Sequence, residues 1–77
     1  MHYVYVLQNK GSQELYYGYT CNLERRISEH NKNEEWKLIY YDAYSAEKDA
    51  RERELKLKHY GQARTHLKNR IQSSLEI

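Results

Sequence analysis

The chain has no phenylalanine, one cysteine, and no apolar stretch near the roughly 20 residues that cross a bilayer. The lone Cys21 excludes an internal disulfide framework and any zinc site built from several cysteines. The N-terminus lacks the basic region and apolar run of a secretory signal, which points to a soluble, cytoplasmic protein with no membrane partner. A chain of 77 residues has room for one domain over 1–77, and at this size about 60% of the unfolded surface is buried on folding. With so thin a core, polar residues on inward faces become informative.

What is abundant is tyrosine, with nine phenols in 77 residues. Phenylalanine is the simpler residue where only packing is needed, because a buried phenol must find a hydrogen-bond partner. The phenols therefore suggest a polar aromatic surface that stacks on something or handles protons, although tyrosine is also a good strand former. Charge is unevenly spread. From Arg51 onward seven Lys/Arg face three acids, whereas the first fifty residues carry six bases and eight acids. A basic C-terminal third suits a polyanion, and equally suits a solvated helix face.

Alternation marks His2 to Gln8 as a strand, with Tyr3, Tyr5 and Leu7 on one face and Val4 and Val6 on the other. Asn9-Lys10-Gly11-Ser12 is a turn, and Glu14 to Tyr19 returns as the second strand of a hairpin. Thr20 or Asn22 caps a helix from Leu23 to Asn31. Trp36 to Tyr44 reads as a third strand, apolar enough on both faces to be covered twice. Ser45 caps a second helix to about Tyr60, and Gly61 stops it in a left-handed conformation. Ala63, Leu67, Ile71 and Leu75 mark a third helix. The expected fold is α+β, in the order β-β-α-β-α-α, with a small three-stranded antiparallel sheet flanked by three helices.

Glu54 interrupts the apolar line of the second helix between Ala50 and Leu57. A carboxylate there must be paired, hydrogen-bonded or bound to a cation. Its partner is either a neighbouring base, Arg51 or Lys58, or a metal ion. Arg26 lies beside the stripe formed by Leu23, Ile27 and His30; it either grips a phosphate with its planar fork or pairs with Glu29 or Glu54. Tyr5 and Tyr16, on paired strands, stack in the core or project into one cleft, where a phenol can serve as a general base. His30, one turn after Arg26, is either structural or an acid, base or phosphate donor.

Taken together, these residues resemble the GIY-YIG nuclease superfamily, in particular its small stand-alone members, related to the nuclease domains of excision-repair and homing endonucleases. Tyr3-Val4-Tyr5 and Tyr16-Tyr17-Gly18 are similar to the two motifs that name the family. Thr20 to His30 looks like the family's following helix, with Arg26 at the arginine position and His30 where members have His or Tyr. Ala50 to Lys58 looks like its metal-binding helix, with Glu54 at the metal position. The departures are Tyr3 and Val4 for Gly and Ile, Tyr17 for Ile, and Tyr19 where some members have Lys or Ser.

The resemblance implies hydrolysis of DNA phosphodiester bonds. In this scheme Glu54 holds one Mg²⁺ or Mn²⁺, and Arg26 neutralises charge developing on the phosphate. Tyr5 or Tyr16 takes a proton from water. It also implies DNA as partner, with specificity coming from a homodimer or a partner protein. The alternatives are a non-catalytic nucleic-acid-binding module, using basic helices and exposed tyrosines, or a protein-interaction domain.

Overall fold

The computed structural model describes residues 1–75. Its elements are β1 (His2–Asn9), β2 (Leu15–Thr20), α1 (Leu23–His30), β3 (Trp36–Tyr44), α2 (Glu47–His59) and α3 (Gly61–Arg70), followed by a short 3₁₀ turn at Gln72–Ser74. The expected order and fold class are those observed, with one antiparallel sheet in the order β2-β1-β3.

The hairpin between β1 and β2 is closed by Asn9. Its Oδ1 accepts from the amides of Gly11 and Ser12, each at 2.9 Å, a side chain replacing backbone turn bonds. In the register, Tyr5 faces Gly18 and Leu7 faces Tyr16, while Val6 faces Tyr17 and Val4 faces Tyr19. Cross-strand partners share a face, so alternation divides the sheet cleanly. Val4 and Val6 join Ala50, Leu57 and Leu67 in the buried core beneath α2 and α3. Tyr5, Leu7, Tyr16 and Gly18 take the opposite face, beneath α1. Among the described residues no helix is long and apolar enough to cross a membrane.

Four of the expectations are corrected. The strand covered on both faces is β1, where Val4, Tyr5, Val6 and Leu7 are all fully buried. β3 is instead an edge strand with Lys37, Tyr41 and Ala43 exposed, because β1 takes the centre of the sheet. The N-cap of α2 is Ala46, without a side-chain cap bond, rather than Ser45.

Gly61 does not end α2 as a left-handed cap; it is the first residue of α3, and no glycine has positive φ. The extended Tyr60 makes the break. Arg64 reaches back from α3 and donates through NH1 to the carbonyls of Leu57 at 2.8 Å and Lys58 at 3.0 Å. Those bonds satisfy the last carbonyls of α2, which removes the need for a glycine cap. α3 itself closes at Arg70 rather than running to Leu75.

Candidate active site

α1 begins where Asn22 Oδ1 accepts from the Arg25 amide at 3.1 Å, with Thr20 Oγ1 bracing Asn22 on both sides. Asn22 is thus the cap, and Thr20 supports it. This start places Arg26 and His30, one turn apart, over the Tyr5 face of the sheet.

Tyr5 is wholly buried, and its hydroxyl is the hub of the cluster. Arg26 Nε, which can only donate, lies 3.3 Å from the Tyr5 oxygen. The Tyr5 hydroxyl also lies 3.1 Å from His30 Nε2, which accepts from it in the neutral tautomer that carries its proton on Nδ1. Its electrostatics agree: burial, followed by the nearby Arg26 charge, lowers the His30 pKa below its ordinary value.

Tyr16 and Trp36 complete the wall. The Tyr16 ring centre is 4.6 Å from that of His30 and 6.1 Å from that of Tyr5. Trp36 stands edge-on to both Tyr16 and His30, at 6.4 and 6.1 Å.

Burial raises the Tyr5 pKa, and the hydrogen bond from Arg26 only partly offsets it. The nearby cation therefore does not make Tyr5 an acidic phenol. Tyr5 is enclosed between Arg26 and His30, whereas Tyr16 beside them is half-buried.

A depressed His30 pKa means that the folded chain binds fewer protons there than the unfolded chain. Its contribution to stability is full above about pH 6.5 and declines as pH falls below that value. Thermal melts between pH 7.5 and 5 should show a steeper acid loss in the native chain than in His30→Gln. Parallel curves would remove His30 from the acid response.

Glu54 occupies a different layer. It lies on the inward line of α2 between Ala50 and Leu57, and its side chain is only 14% exposed. Its carboxylate meets Lys58 Nζ at 3.0 Å and Arg51 NH1 at 3.8 Å. Arg51 in turn lies over the Tyr19 ring, 3.9 Å from its centre, and the Tyr19 hydroxyl is 2.7 Å from His2 Nδ1. Tyr5, Tyr16, Arg26 and His30 are thus gathered on one face of the sheet, and Glu54 borders the other face beside β2. Both neighbours expected for Glu54 are present, as is the Arg26–Glu29 ion pair, at 3.2 Å.

Two residues of the cluster escaped sequence reasoning. Gly18 lies where a Cβ would sit 2.5 Å from both Cζ and the hydroxyl oxygen of Tyr5, and 2.9 Å from Cε1 of Tyr16. A glycine inside a strand signals such a close approach, so that cue was available. Trp36 had no local cue, because its neighbours come from β2 and α1.

Residues 1–69 match the family described as the GIY-YIG catalytic domain. The chain is 36% identical to a UPF0213 protein of Staphylococcus haemolyticus, covering 74% of this chain and 79% of that one. It is 35% identical to a UPF0213 protein of Natronomonas pharaonis, over 82% and 84% of the two chains. The solution structure of a UPF0213 protein from Bacillus halodurans superposes with a TM-score of 0.60 at 27% identity, covering 86% of this chain and 79% of that one.

Proposed function

The chain belongs to the GIY-YIG catalytic-domain family, a nuclease family, and from that premise we propose that it is a divalent-metal-dependent DNA endonuclease. The observation that carries this reading is the lodging of Arg26 against the buried Tyr5 hydroxyl, beside the half-buried Tyr16. A fixed cation next to a phenol supplies two things that phosphodiester hydrolysis needs: charge to meet the phosphate and a group to take the proton of water.

The roles divide by burial. Tyr16 takes the proton from the attacking water beside the Arg26 guanidinium. Arg26 uses Nε for Tyr5 and NH1 for Glu29, and the rest of its planar fork meets the phosphate. Tyr5 and His30 are positioning residues that hold the guanidinium in place.

Among the described residues, no three His, Cys, Asp or Glu gather around one point. The ion suited to this chain is therefore one that keeps most of its own waters and needs a single carboxylate, as Mg²⁺ or Mn²⁺ does. Glu54 fits that requirement, because its closer partner, Lys58, has a partly exposed side chain that can swing away. When bound, the ion would polarise a phosphate oxygen and offset charge on the leaving 3′ oxygen. Tyr16 stands on the edge strand β2 and Glu54 lies beside that strand on its other face.

Supercoiled plasmid incubated with the purified chain should be nicked in Mg²⁺ or Mn²⁺ and left intact in EDTA. Salt-sensitive DNA binding without product under every metal would instead establish a non-catalytic nucleic-acid-binding module.

A further inference from the structure

We propose that Lys58 is a displaceable counter-ion on Glu54 and sets how tightly this chain holds its divalent metal. The inference rests on the reading of Glu54 as the metal-binding carboxylate. Each oxygen of that carboxylate already has a cation: Lys58 Nζ on Oε2 at 3.0 Å and Arg51 NH1 on Oε1 at 3.8 Å. The two cations are held very differently. Arg51 is fixed from three sides, by the Tyr19 ring at 3.9 Å, Glu47 at 3.5 Å and Glu54 itself. Lys58 lies one helical turn from Glu54 on a flexible four-carbon stem. The Lys58 and Arg51 side chains are both partly exposed, so what separates them is the ring and the second carboxylate against Arg51.

An ammonium ion is compact and strongly hydrated, so it returns to water at small cost. The guanidinium, weakly hydrated and stacked on a ring, does not. A divalent ion approaching Oε2 therefore displaces Lys58 and leaves Arg51 where it is. In the metal-free chain Lys58 meets a second need, because an inward carboxylate that is only 14% exposed would otherwise lack close charge compensation. The same residue that keeps Glu54 compensated thus competes with the metal for it. Arg51 acts as a positioning residue, keeping the carboxylate turned toward β2 during the exchange.

Mn²⁺ titration of the full chain without DNA, followed by electron paramagnetic resonance of the free ion, tests this directly. Lys58→Gln should bind Mn²⁺ about three- to tenfold more tightly, the size expected for losing one competing unit charge near a divalent ion. Lys58→Arg, which keeps the charge, should restore affinity to the native level or below. Equal affinity in the native chain and Lys58→Gln, with binding lost in Glu54→Gln, would overturn the competition while sparing Glu54. Binding unchanged in Glu54→Gln would overturn the metal reading of Glu54 and this inference with it. A simple structural ion pair predicts another result: a lower melting temperature for Lys58→Gln and no change in Mn²⁺ affinity.

Discussion

Replacing Glu54 by alanine is expected to abolish divalent-dependent nicking of plasmid DNA and to leave a folded chain. The two halves of that expectation have separate causes. Charge stabilisation by a bound metal is worth several kcal/mol in a transition state, so its loss should lower the rate by about 10³-fold or more. Stability should change little. Glu54 pairs only with side chains of its own helix, at 3.0 and 3.8 Å, and such pairs are worth at most about 1 kcal/mol. Alanine is also the best helix former, which offsets part of that loss. A plasmid assay and a circular dichroism melt on one preparation check both halves. Undiminished nicking by the variant would take Glu54 out of the mechanism.

The second large effect is expected at Gly18, and there fold and activity should fail together. In Gly18→Ala the new methyl would lie 2.5 Å from the Tyr5 ring, far inside contact distance. Tyr5 has nowhere to go, being wholly buried on the central strand and tied to Arg26 and His30. Overpacking of this kind costs about 1–3 kcal/mol, which in a domain of this size lowers the melting temperature by about 4–24 °C. Whatever moves, the Tyr5 hydroxyl leaves its hydrogen bonds and Arg26 loses its anchor, so nicking should fall as well. A double-mutant cycle with Tyr5→Leu tests the cause. Removing the Tyr5 ring should take away most of the loss caused by Gly18→Ala, leaving the part due to Tyr16 Cε1 at 2.9 Å; an equal loss in both backgrounds would show that the clash with Tyr5 is not the reason.

Gly18 also marks where sequence reasoning stops. Strand and helix periodicity put Tyr5 and Tyr16 on paired strands and His30 one turn from Arg26, but the family resemblance was what singled them out from ordinary strand and helix residues. Glu54 was legible because it breaks an apolar line. What lay beyond reach depends on pairing between distant segments. That Gly18 stands opposite Tyr5 is a fact of register, and that Trp36 closes the cluster depends on where β3 enters the sheet.

The misreading of β3 has the same origin. Its apolar residues suit a strand covered on both faces, but coverage depends on strand order, and the central place belongs to β1. Gly61 misled because the carbonyls it was expected to cap are satisfied by Arg64, on the next helix. The division of labour between the two tyrosines was likewise invisible until burial separated them.

The central place of β1 also governs the order in which the chain can assemble. The strand that ends in the middle of the sheet is synthesised first, and its two neighbours arrive at very different times. β2 closes on it through a short turn, whereas the Tyr5–Tyr41 pairing must await a loop of more than thirty residues. Closing the longer loop costs more chain entropy and is slower. The hairpin carrying Tyr5, Tyr16 and Gly18 should therefore form early, with one edge of β1 still unpaired. That open edge, next to the apolar Val4–Leu7 run, is where a stalled or truncated chain would aggregate.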